Sequence, residues 1–106
     1  IIESDIIVFS TPLYYFGFSA QLKTLIDRFY SINGSIKGTS KQVVLLMACG
    51  GPDTKYAEPM PAHYHMLLDY MGWKERGSVL ALGMLQAGAV KTSPFSQQAY
   101  ELGRSL

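Results

Sequence analysis

The residues best suited to chemistry lie in the segment STPLYYFGF, between a predicted strand and a predicted helix. Pro12 fixes one backbone φ angle, and Gly17 lets the chain turn closely into the helix. Tyr14, Tyr15 and Phe16 place ring faces and edges beside backbone amides, which suits a planar heteroaromatic ligand. The same rings could instead cover the core or form a subunit interface. Spacing alone leaves these alternatives open.

A second small-residue loop, ACGG, follows the next apolar run. Gly50 and Gly51 would let the backbone approach a ligand, although an ordinary tight turn is the commoner use of such a pair. No G-x-G-x-x-G pattern opens a helix here, and G-x-x-x-x-G-K-[ST] is absent from the sequence. Neither a dinucleotide fingerprint nor a nucleoside triphosphate site is therefore predicted.

Nucleophilic and metal chemistry find little support in the sequence. His63 and His65 are two residues apart, so they would point to different sides of a helix and suit neither chelation nor a triad with Cys49. We expect a buried thiol at Cys49 and surface positions for both histidines. Ser10 lacks the G-x-S-x-G elbow that would expose it as a nucleophile.

Three apolar runs predict the strands that position these loops, at residues 5–10, 42–48 and 78–84. Short continuous apolar runs are typical of parallel strands covered on both faces. Because the carboxyl ends of parallel strands meet at one edge of a sheet, we expect the aromatic loop and the ACGG loop to lie side by side. Ligands in such sheets bind beyond that edge.

Helical patterns alternate with these strands. Ser19 is a credible N-cap for the first helix, Pro59 and Pro61 can open a second helix that ends at Gly72, and Ser93 can cap a third. The alternation of strand and helix predicts an α/β domain with a parallel sheet and right-handed crossovers.

The bulk composition excludes several function classes. The chain has 106 residues, 48% hydrophobic and 16% charged, which fits one folded domain. A net charge of +1 without adjacent basic residues predicts binding to neither nucleic acid nor membrane surfaces. No apolar run reaches the ~20 residues that span a bilayer. The single cysteine, Cys49, is compatible with a reducing, cytoplasmic location.

The segment DIIVFSTPLYYFGFSAQLKTLIDR closely resembles a stretch of the NAD(P)H-dependent FMN reductases and iron–sulfur flavoproteins. Three later segments are similar to that family in the same order: LLMACGG, HMLLDYMGWKERGSVLALGM and AGAVKTSPFSQQAYELGRSL. The resemblance covers nearly the whole chain. It implies a flavodoxin-like three-layer sandwich, with FMN at the strand ends.

The resemblance also implies an activity and a set of site residues. Proteins of this family pass hydride from NAD(P)H to FMN and onward to a small-molecule acceptor, such as a quinone or free flavin. The cofactor carries the chemistry and the protein positions it. The residues that the resemblance places around FMN are Pro12, Leu13, Tyr14, Tyr15, Phe16, Gly17, Cys49, Gly50 and Gly51. It implies no catalytic side chain and no metal ligand.

The chain departs from the family in one respect. The family's phosphate-loop signature, similar to "GSPRk.gnT", does not occur in it. We therefore expect residues 1–106 to be a single partial flavodoxin-like domain, with the N-terminal strands and the phosphate loop missing and FMN bound weakly or not at all. Whether the chain is an enzyme stays open. The alternative is a non-catalytic half-domain that self-associates through the edge of its first strand, so a homo-oligomer is expected.

Overall fold

The computed structural model describes all 106 residues, with a three-stranded sheet at the centre. The strands are β1 (Ile6–Pro12), β2 (Gln42–Ala48) and β3 (Lys74–Ala81). Their order in the sheet is β1-β2-β3, and both neighbouring pairs are parallel. The α/β class and the parallel sheet predicted from the sequence are confirmed.

The bounds of two strands differ from those predicted. The strand β1 continues to Pro12, where proline is tolerated because β1 is an outer strand and the missing N–H breaks no ladder bond. The strand β3 covers Lys74–Ala81 rather than residues 78–84. Its first three residues are charged and exposed, as an outer strand permits. A prediction based on runs of apolar residues does not include them. Gly83, with φ +74°, turns the chain away after β3.

Helical segments connect and follow the strands. Between β1 and β2 the chain forms α1 (Ala20–Arg28), a 3₁₀ turn (Phe29–Ile32) and α2 (Asn33–Ile36). Between β2 and β3 it forms α3 (Thr54–Ala57) and α4 (Pro59–Met71). After β3 come a 3₁₀ turn (Ala89–Thr92) and α5 (Pro94–Arg104).

The ends of the long helices follow the predicted signals. The Ser19 Oγ accepts a hydrogen bond from the backbone of Leu22, and the Ser93 Oγ accepts one from Phe95. Gly72 ends α4 in the left-handed conformation, with φ +69°. None of the helices combines the length and the apolar character needed to cross a bilayer.

The sheet has one closed face and one open face. On the closed face, which carries Ile7 and Phe9, the side chains share a core with α1 and α4. The Phe9 ring lies 6.5 Å from Phe29 and 6.3 Å from Tyr64, measured between centroids. On the open face, which carries Val8, α5 packs against β3. Helices on both sides of the sheet give the predicted three layers.

Candidate functional site

The candidate site lies beyond the carboxyl ends of β1 and β2. The backbone N–H of Leu13 donates to the Ala48 carbonyl at 2.8 Å, which extends the pairing of the two strands by one residue. The loops that follow then enclose a cavity of about 220 Å³. Eight residues line it: Leu13, Tyr15, Phe16, Cys49, Gly50, Gly51, Asp53 and Tyr56.

The tip of the first loop is a strained two-residue turn. Tyr14 and Gly17 exchange backbone hydrogen bonds of 3.2 and 3.1 Å. Between them, Tyr15 has φ +43° and Phe16 has φ +72°. Positive φ at both central residues is the pattern of a type I′ turn, which normally uses Asn, Asp or Gly. Each bulky residue with a positive φ angle reduces the stability of the fold by roughly 1–2 kcal/mol. Backbone strain of this kind is concentrated at ligand sites.

The base of the same loop is fixed by one buried hydroxyl. The Thr11 Oγ1 donates to the Pro12 carbonyl at 2.8 Å and accepts from the backbone N–H of Ser19 at 3.0 Å. Phe18, just before Ser19, is buried with its ring 6.4 Å from that of Phe9. These hydrogen bonds therefore link the end of β1 to the start of α1. At the tip of the loop, by contrast, Tyr15 is 97% exposed.

The second loop is held by backbone bonds to the end of β3 and to the segment after it. The Cys49 N–H donates to the Ala81 carbonyl at 3.0 Å, and the Gly83 N–H donates to the Gly51 carbonyl at 3.0 Å. A β-carbon at Gly50 would lie 3.0 Å from the Leu85 side chain, whereas one at Gly51 would meet nothing within 4 Å. Gly50 thus permits a close approach, and Gly51 leaves space open at the cavity.

Two further residues of the site, Asp53 and Tyr56, are not among those predicted from the sequence. Asp53 caps α3, because its carboxylate accepts from the backbone N–H of Lys55 at 3.0 Å. Tyr56 then projects toward the first loop, with its ring centroid 5.8 Å from that of Phe16. The capping residue Asp53 was the available signal, since it predicts a helical turn that carries Tyr56.

The predicted cofactor residues are divided between the cavity and its surroundings. The structure brings six of them together around the cavity: Leu13, Tyr15, Phe16, Cys49, Gly50 and Gly51. Pro12 lines a separate groove between the open face and α5. Tyr14 and Gly17 form the hydrogen bonds of the turn and do not line the cavity. Contact of all nine with a cofactor stays a prediction.

The other candidate residues form no reactive group. The Cys49 thiol is half-buried rather than buried as expected, and it lies 3.2 Å from the Gly51 carbonyl oxygen. His63 and His65 are exposed, as predicted. The His65 Nε2 lies 3.0 Å from Glu75 Oε2. No three His, Cys, Asp or Glu side chains are grouped so that they could hold a metal ion.

The chemistry of the cavity fits the ring system of a flavin. The backbone N–H groups of Tyr15, Phe16, Gly50 and Gly51 donate no hydrogen bond within the chain. Exposed aromatic faces stand beside them, so the site offers both stacking surface and polar contacts to a flat heterocycle. None of the eight lining residues is a lysine or arginine, so the lining offers no positive side chain to a phosphate.

Known proteins share this architecture. A family model described as a flavodoxin-like fold matches residues 1–104. An FMN-dependent NADH:quinone oxidoreductase from Bordetella petrii is 33% identical, over 77% of this chain and 45% of its own length. This chain therefore spans less than half of that relative.

Two solved structures show the same fold. The Trp repressor binding protein from Bacillus subtilis superposes with a TM-score of 0.79 at 23% identity, covering 95% of this chain and 69% of its own. A flavone reductase superposes with a TM-score of 0.70 at 19% identity, covering 97% of this chain and 41% of its own. These two structures share the fold, and the family model, which matches nearly the whole chain, confirms the predicted family: the chain belongs to the flavodoxin-like family.

Proposed function

We propose that this chain forms the ring-binding side of an FMN-dependent NAD(P)H oxidoreductase. The observation that carries the proposal is the combination of exposed aromatic rings and unpaired backbone amides at the carboxyl edge of the sheet. Tyr15, Phe16 and Tyr56 are each about half exposed or more, although large aromatic side chains are usually covered. The name of the Bordetella petrii relative, at 33% identity, supports the same cofactor.

The residues of the chain would bind and orient the flavin rather than react with it. A bound FMN would supply the redox chemistry, which is hydride transfer from NADH or NADPH and onward reduction of an acceptor such as a quinone or free flavin. The amides of Gly50 and Gly51 would donate to the polar edge of the ring system. The rings of Tyr15 and Phe16 would cover apolar parts of it and exclude water.

The same geometry leaves access for the second substrate. Tyr15 is 97% exposed, so its ring contacts solvent on nearly all sides. A nicotinamide or a planar acceptor could therefore approach a bound flavin past the tip of this loop. We propose a small-molecule acceptor on this basis. We also propose a reducing compartment such as the cytoplasm, with which the single thiol of Cys49 is compatible.

The proposal is tested by titrating the chain with FMN and with riboflavin, which has the same ring but no phosphate. Flavin fluorescence and absorbance report binding, and oxidation of NADH or NADPH with a quinone reports turnover. Because the lining carries no cationic side chain, we expect the two affinities to agree within about three-fold. Quenched fluorescence with both ligands supports the proposal.

Variants locate the binding. Phe16→Ala should weaken both flavins, whereas Tyr100→Ala should weaken neither, because Tyr100 is an exposed tyrosine on α5 that does not line the cavity. If neither flavin binds to the wild-type chain at millimolar concentration, the proposal fails. FMN that binds more than about ten-fold tighter than riboflavin would contradict the assignment of this chain to the ring alone.

A second candidate function rests on the outer edge of β1. This strand pairs only with β2, so the backbone groups of its other edge lack a strand partner. Val8, near the middle of β1, is 49% exposed. Unpaired apolar edges favour association with another chain. We propose that this chain forms homo-oligomers through this edge, and sedimentation velocity over a concentration series tests it. A monomer at all concentrations would contradict it.

A further inference from the structure

The strained turn at the tip of the first loop has few internal contacts to hold it. Tyr15 and Phe16 both adopt positive φ angles that their side chains disfavour. Inside the loop, only the two backbone bonds between Tyr14 and Gly17 close the turn. Asparagine or glycine at these positions would remove most of the strain. A turn built from two bulky residues therefore needs support from outside.

Aromatic support comes from a side chain of α3. The Phe16 ring lies 5.8 Å from the Tyr56 ring at an interplanar angle of 31°, a tilted aromatic contact. The Tyr15 ring meets Phe16 edge-on at 6.5 Å and is otherwise in solvent. The Tyr15 ring therefore packs on Phe16, and Phe16 packs on Tyr56. Of these three aromatic residues, only Tyr56 lies outside the first loop, on α3.

Tyr56 is itself held in place. Its backbone N–H donates to the Asp53 carbonyl at 3.3 Å, and the Asp53 carboxylate caps the same turn through Lys55. The Lys55 ammonium lies 4.8 Å from the Tyr56 ring centroid, within cation–π range. The helical turn α3 can therefore brace the loop after β1 beside the cavity that both of them line.

We propose that Tyr56 is a positioning residue for the flavin site. By packing against Phe16 it holds the turn in the conformation that presents the Tyr15 ring and the free amides of Tyr15 and Phe16 to the ligand. The inference rests on the proposed function. Although Tyr56 lines the same cavity, the role assigned to it is control of the first loop rather than contact with the reacting atoms.

The test compares Tyr56→Ala, Tyr56→Phe and Tyr70→Ala, with riboflavin as the probe. Tyr70 is a matched control, because it is 53% exposed against 49% for Tyr56 and lies on α4, outside the cavity lining. We expect Tyr56→Ala to weaken riboflavin about five- to ten-fold, the effect of losing one aromatic contact. Tyr56→Phe should bind as the wild type does, since the ring is retained.

A second readout needs no ligand. The Cα and Cβ resonances of Tyr15 and Phe16, which report backbone conformation more than neighbouring ring currents, should shift in Tyr56→Ala and stay in place in Tyr56→Phe and Tyr70→Ala. Unchanged resonances in Tyr56→Ala would overturn the positioning role. Weak binding by Tyr56→Phe would overturn it too, because it would assign the effect to the hydroxyl. If the wild type binds no riboflavin, the proposed function fails, while the Cα and Cβ comparison still decides whether Tyr56 holds the turn.

Discussion

The closed face of the sheet is packed by α1 and α4, whereas the open face is covered only by α5. The contrast is sharpest in β1, where Phe9 is 2% exposed and its neighbour Val8 is 49% exposed. Fifteen buried side chains form the core on the closed side, while α5 has no buried residue of its own. Stability should therefore come mainly from the closed face, and the self-association proposed for the outer edge of β1 would involve the less covered side of the sheet.

The largest expected effect comes from opening a cavity in the closed face. Phe9→Ala removes a ring that contacts Phe18, Phe29 and Tyr64, so we expect a loss of about 3–5 kcal/mol in the free energy of unfolding. Val8→Ala, one residue earlier, should cost less than about 1 kcal/mol because Val8 is half exposed. Urea denaturation of both variants measures the difference. Equal losses would remove the distinction between the faces.

A smaller effect is expected where α5 meets the open face. A β-carbon at Gly77 would stand 2.7 Å from Leu102 Cδ1, so Gly77→Ala must displace the Leu102 side chain or α5. We expect a loss of about 1 kcal/mol, at the low end for overpacking because a flexible side chain can move. Hydrogen exchange should show faster opening of α5 with α4 unchanged. An equal change in α4 would mean that the two faces are coupled.

A series of stability measurements at different pH values tests whether Tyr64 is buried with its proton retained on the closed face. The Tyr64 hydroxyl donates to the Val43 carbonyl at 3.2 Å, so Tyr64→Phe should cost about 1 kcal/mol at neutral pH. Burial, and secondarily the charge of Glu75, raise the pKa of Tyr64 well above its usual range. Above about pH 10 the unfolded tyrosine ionises while the folded one keeps its proton, so the wild type loses stability.

Tyr64→Phe lacks this ionisation, and its disadvantage should shrink as the pH rises. Urea titrations of both proteins between neutral and strongly alkaline pH measure the gap. A gap that stays constant over the series would contradict a buried, proton-retaining Tyr64.

The smallest effect on stability, and the most informative for the open face, is expected from Val8→Lys. A lysine at a half-exposed position should change the free energy of unfolding by less than about 0.5 kcal/mol. It should nevertheless abolish the proposed self-association, because charged side chains protect exposed strand edges. Met66→Lys, on the exposed surface of α4, is the control and should leave sedimentation unchanged. Self-association that survives in Val8→Lys would place the interface elsewhere.

The sequence predicted the parts of this molecule that follow local rules. The order of strands and helices and the caps at Ser19 and Ser93 follow from periodicity and side-chain chemistry, and they agree with the structure. The start of β3 at Lys74 was missed, because an outer strand tolerates charged residues that an apolar pattern excludes. The family and the parallel sheet were also predicted correctly from the sequence. That this chain is a partial domain stays a prediction.

The details of the candidate site depend on contacts between distant residues. The positive φ angles of Tyr15 and Phe16 contradict their own preferences, so no local rule predicts them. The contact of Phe16 with Tyr56 joins the first loop to α3, forty positions later in the sequence. Aromatic residues could be assigned to the site from their position at a strand end, but their support could not.

Thr11 gives the first loop a property useful to an engineer. One hydroxyl joins the strand end to the helix start, so residues 12–18 form a ring closed at its base. The tip can then be exchanged as a cassette, with new residues at positions 14–16, while β1 and α1 keep their places. Ligand preference can then be varied separately from folding in this loop. A library that varies only positions 14–16 could change the ligand preference and leave the fold intact.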